Sequence, residues 1–223
     1  MDKNLLAEFF EKQTIPLWGV TGLTKNDSVF LPKDLQGHFA SAVVYAFPLS
    51  NAVLDLLSEG PDLLYLHHYR QVNYLLDRVG TLASELLRQN GFSGLPVPAS
   101  QVIDWKEQKG LLSLRQLALN AGLGWIGRNN LLVTPDFGSR VRLSAVLTDA
   151  PLDAGKLISF GCGECTRCLS RCPVSAIKTE PDNFDLTVCR EFIKDTCSRK
   201  GIGQNICGLC LCSAKDRSLN GNA

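Results

Sequence analysis

The first 161 of the 223 residues contain no cysteine. A disulfide-held secreted scaffold would spread its cysteines along the chain and carry a signal peptide. The opening stretch MDKNLLAEFFEKQ is too charged, and its apolar part too short, for such a signal. No apolar run approaches the length of a membrane-crossing helix, and SLNGNA at the end carries no lipidation signal. An excess of one charge is also missing. The 23 Lys and Arg stand against 22 Asp and Glu, a formal net charge of +1. Binding to a phosphate backbone normally shows as a basic excess, so the composition gives no case for a dominant nucleic-acid surface. It leaves room for a smaller basic patch. No internal repeat and no low-complexity linker is visible. These absences set the expectation of a cytoplasmic protein with no membrane partner.

What is present is an ordinary globular composition, 45% apolar and 20% charged. All nine cysteines lie between Cys162 and Cys212. Crowding of this kind without secretion points to metal. The chain therefore reads as two regions. Residues 1–155 form an α/β cofactor-binding domain, and 156–223 a cysteine-rich, turn-rich one, joined near LDAGKLISFG.

Leu5, Leu6, Phe9 and Phe10 recur at helical spacing, and Pro16 ends that helix. SAVVYAFPL (41–49) is apolar and β-branched, which predicts a buried strand. Tyr69, Val72, Leu75, Leu76, Val79, Leu82, Leu86 and Leu87 form the stripe of a long helix stopped by Gly91. LLSLRQLALN (111–120) predicts a shorter helix. LLVTPDFGSRVRLSAVL then predicts two strands around a turn at Pro135–Gly138, with Val141, Leu143, Ala145 and Leu147 alternating against Arg142, Ser144 and Thr148. The fold class expected is α+β.

CGECTRCLSRCP gives Cys162, Cys165, Cys168, Cys172 and Pro173, the C-x2-C-x2-C-x3-C-P run of bacterial ferredoxins. Three closely spaced thiolates wrap one 4Fe–4S cube, and the cysteine before proline reaches a second. Structural zinc is the weaker reading, because it takes two separated pairs. Two cubes need eight thiolates, and nine cysteines exist. The assignment is Cys162, Cys165, Cys168 and Cys212 for one cluster, and Cys172, Cys189, Cys207 and Cys210 for the other. Cys197 is left as a small core residue and is the substitute for Cys212, which lacks the usual x3 spacing and following proline.

AGLGWIGRNN (121–130) contains G-x-G-x-x-G at Gly122, Gly124 and Gly127. A dinucleotide-binding fingerprint follows a strand and opens a helix. Here a helical stretch precedes and a strand-like one follows, so the order is reversed. Gly122 reads as a helix stop, and Gly124 and Gly127 as a close-approach loop beside Trp125. Arg115, Arg128, Arg140 and Arg142 are candidates for an anionic group, with Arg140 and Arg142 on one strand face. Tyr69 faces either the core or a cofactor cleft. His67 and His68 read as solvated.

The block LALNAGLGWIGRNNLLVTPDFGSRVRLSAVLTDAPL followed by CGECTRCLSRCPVSAI resembles epoxyqueuosine reductase and its short relatives, over about residues 60–212. The resemblance implies a nitroreductase-like domain paired with a double-cluster ferredoxin-like domain. It also implies a cobalamin fed by the clusters, with Tyr69, Gly122, Gly124, Trp125, Gly127, Arg128 and Arg140 as its contacts. Reductive dehalogenases share that plan. The best-known reaction of the family acts on a modified tRNA base. The family's aspartate proton donor corresponds to Gln108 here, flanked by Asp104 and Glu107 as catalytic candidates. The chain ends soon after Cys212, without the helical-repeat extension that many members use near tRNA. Three readings follow: a reductase that passes electrons from two clusters to a corrinoid, an electron carrier or reductive activator for a partner protein, and an FMN-dependent reductase. Each needs an electron-donor protein or a low-potential reductant, and the substrate is unassigned.

Overall fold

Leu6 and Phe10, one turn apart, are fully buried in the first helix, each such burial contributing roughly 1.5–3 kcal/mol. In this computed structural model, which describes residues 1–24, 31–100, 102–103 and 110–212, that helix is α1 (Lys3–Lys12). It is followed by β1 (Leu17–Gly22), β2 (Ser41–Pro48), α2 (Asn51–Leu54), α3 (Leu63–Gln89), β3 (Gly94–Val97), α4 (Leu114–Asn120), β4 (Trp125–Ile126), β5 (Leu132–Val133), β6 (Val141–Thr148), α5 (Arg167–Ser170) and α6 (Leu186–Arg199). Mixed helix and sheet agrees with the expected α+β class.

The chain divides into two compact units. The first is built from Met1–Phe47, Val72–Leu123 and Arg142–Ile158. The second takes Pro48–Gln71, Gly124–Val141 and the described part of Ser159–Ala223. Each unit is thus assembled from three separated segments.

Unit 1 holds a four-stranded sheet in the order β1-β2-β6-β3. β1 runs antiparallel to β2, with Val20 opposite Val43, and β3 antiparallel to β6, with Val97 opposite Ala145. The alternation expected in β6 gives way at its end, where Ala145, Val146, Leu147 and Thr148 are all buried. Its interior place in the order pairs both its edges, and both faces of that end are covered by packed chain. The Tyr45 hydroxyl of β2 donates to the carbonyl of Leu76 at 2.9 Å, and its oxygen lies 2.9 Å from Ser144 Oγ. A Cβ on Gly80 of α3 would stand 2.6 Å from that phenol oxygen, so the glycine makes the approach possible. The buried stripe of α3 runs Tyr69, Val72, Leu76, Val79, Ala83, Leu87, whereas Leu82 is exposed. Gly91, at φ +82°, ends the helix.

α4 starts at Ser113, whose hydroxyl accepts from Gln116 N–H, and stops at Gly122. With φ +75°, Gly122 donates to Leu119 and Leu123 donates to Ala118, the paired bonds of a Schellman stop. The helix–glycine–strand order read from the residues is therefore the observed one. Trp18 stacks on Phe10 with ring centroids 5.2 Å apart, a packing role.

Candidate functional site

Unit 2 carries every cysteine. Gly163, at φ +47°, lets the chain turn after Cys162, and Cys165 N–H closes the turn on the Cys162 carbonyl at 2.9 Å. α5 then presents Cys168, the most buried of the first run. Cys172 follows, and its sulfur accepts from Ala176 N–H at 3.3 Å. Asp185 caps α6 by accepting from Val188 N–H, which places Cys189 in the first turn and Cys197 near the end. The turn at Cys207–Cys212 hinges on Gly208, at φ +86°, where a side chain would collide with Leu57 and Tyr65.

The thiols interact electrostatically in two sets. Cys168 feels Cys162 and Cys165, while Cys207 feels Cys189 and Cys172. Cys210 feels Cys207 and Cys189 first, then Cys212 and Cys168. Burial, reinforced by these neighbouring sulfurs, pushes Cys168 and Cys207 up to about 11. The same causes raise Cys189, and Cys210 well above the usual thiol range. Thiolates packed this way need a cation to hold them. Among the described residues no three His, Cys, Asp or Glu side chains close around a single ion position. A cubane takes its four thiolates at separate corners rather than at one ion position.

Cys197 and Cys212 differ. Cys197 is 2% exposed, and its thiol donates to the Ile206 carbonyl at 3.2 Å. Cys212 is half-buried, and its backbone is held by Ser139 in both directions at 2.9 Å.

The glycine block supports the cysteine loops. The indole N–H of Trp125 donates to Cys162 Sγ at 3.3 Å. Arg128 donates from its three nitrogens to the carbonyls of Thr179 (2.6 Å), Cys165 (3.0 Å) and Gly163 (2.9 Å), and lies over the Phe160 ring. Asn129 donates to the Cys210 carbonyl at 3.0 Å and to Ser139 Oγ at 3.2 Å. Asn129 escaped the sequence reading, although it follows Arg128 directly. Its partner lies 81 positions away, so no local pattern announces it.

Most residues nominated for an organic cofactor are engaged by protein. A Cβ on Gly122 would strike the Lys156 carbonyl, and one on Gly124 the Val133 carbonyl. A Cβ on Gly127 would stand 2.6 Å from Val133 Cγ2. The loop was expected to approach a cofactor, whereas these glycines make room for neighbouring chain. Arg140 is 4% exposed and donates to Leu211 O, Asn51 Oδ1 and Asp55 Oδ1. It precedes β6 and belongs to unit 2, while Arg142 sits in unit 1 and donates to Asn73 and the Ala99 carbonyl. The shared strand face expected for these two arginines is not formed. Tyr69 is buried edge-on against Tyr65, centroids 6.1 Å apart. His68 is not simply solvated, because its Nε2 accepts Ser50 N–H at 2.9 Å, and burial followed by His67 lowers its pKa. Asp104 and Glu107, with Gln108, lie outside the described residues.

No protein-family profile matches the chain. An epoxyqueuosine reductase from Bacillus cereus is 30% identical over 196 residues, which make up 84% of this chain and 49% of that protein. The chain is similar to epoxyqueuosine reductases over most of its own length. It spans about half the length of the curated relatives it matches, 49% and 45% for two Bacillus enzymes. Solved structures share the fold. A reductive dehalogenase described as suggesting a mechanism for B12-dependent dehalogenation superposes with a TM-score of 0.68 at 18% identity, over 92% of this chain and 31% of that one. An epoxyqueuosine reductase bound to a tRNA-Tyr stem loop gives 0.57 at 22%, over 93% of this chain and 64% of that one. Among the described residues, no helix is long and apolar enough to cross a membrane.

Proposed function

We propose that the chain is an iron–sulfur reductase whose second unit holds two 4Fe–4S clusters. In this reading residues 1–155 are a nitroreductase-like domain and 156–223 a double-cluster ferredoxin-like one. The carrying observation is the grouping of the thiols, Cys162 and Cys165 around Cys168, and Cys172 and Cys189 around Cys207, with Cys210 beside the second group and also within reach of Cys212 and Cys168. Cys212 is the eighth ligand. Bound clusters would supply single-electron transfer at low potential. The chain's own residues do the rest. Arg128 fixes the Cys162–Cys168 loop by its carbonyls, Asn129 and Ser139 fix the Cys207–Cys212 turn, and burial keeps water from most of the sulfur. Exposed Gly163, Glu164 and Thr166 leave one edge of the first loop open to an electron-donor protein.

The electron acceptor we infer is a corrinoid, by likeness to the B12-dependent dehalogenase fold. Asp104 or Glu107 would then deliver a proton to a substrate that is a small molecule or a modified base. A second reading, an electron carrier for a partner protein, is favoured by the protein contacts that occupy Gly122, Gly124, Arg128 and Arg140. Anaerobic reconstitution followed by iron, flavin and corrinoid analysis of one sample separates them. We expect about eight irons per chain and cobalamin retained through gel filtration. Iron at about four per chain, or none, refutes the two-cluster reading. Full iron without retained cobalamin leaves the carrier reading, and bound FMN would install the flavin one.

A further inference from the structure

Trp125 opens β4 and is only 5% exposed. Two features fix its indole. Its backbone pairs with Val133 of β5, and Gly161 presses on the ring, where an added Cβ would meet Cη2, Cζ2 and Cζ3 at 2.9, 3.0 and 3.1 Å. The only polar atom of the side chain, the Nε1–H donor, then points at Cys162 Sγ from 3.3 Å. Gly127 brings backbone to the same sulfur, since its Cβ would lie 3.6 Å away. A tryptophan placed for packing alone would not need its one donor aimed at a thiol. A phenylalanine would fill the same slot.

We propose that Trp125 is a positioning residue that sets the reduction potential of the cluster held by Cys162, Cys165 and Cys168. The proposal rests on the two-cluster reading. Hydrogen bonds to cluster and ligand sulfurs are among the factors that set the potential. One-electron reduction adds negative charge that spreads onto the thiolate sulfurs. A fixed N–H dipole aimed at that sulfur stabilises the reduced state more than the oxidised one. Removing the donor therefore lowers the potential. The electron comes from the external reductant in either case, and the indole keeps its proton.

The test compares Trp125→Phe with the wild type, both reconstituted anaerobically with iron and sulfide and titrated with dithionite under EPR. The expected result is unchanged iron, with the reduced-to-oxidised ratio of one cluster about three- to tenfold lower at a fixed potential. Tenfold corresponds to about 59 mV for a one-electron couple. The signal of the other cluster should not move. Equal titration curves with full iron overturn the role of Trp125 and leave the clusters intact. Absence of iron from the wild type overturns the two-cluster reading instead. Should the variant lose iron, the wild type itself decides. Protein labelled with ¹⁵N in the indole, in a Trp18→Phe, Trp105→Phe background, should show a ¹⁵N coupling to the reduced cluster in pulsed EPR. No coupling refutes the proposal.

Discussion

Replacing Cys197 by alanine separates the spare thiol from the ligands. Cys197 is 2% exposed and donates to the Ile206 carbonyl at 3.2 Å. The substitution removes one sulfur and leaves that carbonyl without this donor. A net hydrogen bond is worth about 1 kcal/mol, and a small residual cavity adds a comparable amount. A loss of about 1–2 kcal/mol lowers Tm by roughly 2–8 °C in a chain of this size. Iron should stay at about eight per chain, because the thiol, although close enough to act on Cys207, is buried and engaged with the Ile206 carbonyl. Cys212→Ala should behave in the opposite way. Its side chain is half-buried beside Cys210, so the thermal cost is small while iron falls by up to about four per chain. The measurements are iron and sulfide content on matched samples, with thermal unfolding of each. If Cys197→Ala loses a cluster and Cys212→Ala keeps both, the ligand assignment is wrong.

Gly124→Ala should destabilise strongly, by about 3 kcal/mol or more. Its Cβ would meet the Val133 carbonyl and stand 3.1 Å from Thr134 Cα, backbone on both counts, and chemical denaturation of the purified variant measures it. Arg140→Leu should cost about 1–3 kcal/mol, because the Leu211 carbonyl and Asn51 lose a buried donor while Asp55, 58% exposed, is left to water; Arg140→Lys should recover only part in the same assay. The cluster-free protein should lose stability as pH rises from about 9 to about 11, monitored by unfolding at stepped pH. In that window the unfolded chain's thiols ionise while Cys168 and Cys207 stay protonated in the fold, so the folded state holds more protons and base favours unfolding. Iron-loaded protein should show a flatter profile, since its thiols are already deprotonated.

The parts of the fold governed by local pattern were legible in the residues. α1, β2, α3 and α4 each show their periodicity, and Gly91 and Gly122 mark two helix ends. β1 and β3 were not foreseen. Gly19 and Gly22 dilute the pattern of β1, and Gly19 is required because its Cβ would stand 2.7 Å from the Ala121 carbonyl. Pro96 argues against a strand at β3 until the order of the sheet places it at an edge, where proline is tolerated. α6 hides among cysteines and polar residues, although Asp185 followed by Val188 is a readable cap. The cysteine spacing raised the expectation of metal, but the residues that support those loops were beyond reach. Trp125 and Cys162 are 37 positions apart, and Arg140 and Asn51 are 89 apart. Such pairs are fixed by tertiary packing, which no short window of sequence contains.

The three-segment build of unit 2 has a consequence for biosynthesis. Its shell residues Trp125, Arg128, Asn129 and Arg140 leave the ribosome before the cysteines they support, and Pro48–Gln71 earlier still. Until the last segment emerges, those donors face solvent and the unit has no closed core. Its pairings are non-local, and contacts of that kind form slowly. In the two-cluster reading, insertion is therefore confined to the moment after the Cys207–Cys212 turn has been made. A polypeptide severed near residue 155 would deliver the cysteines without the side chains that hold their loops.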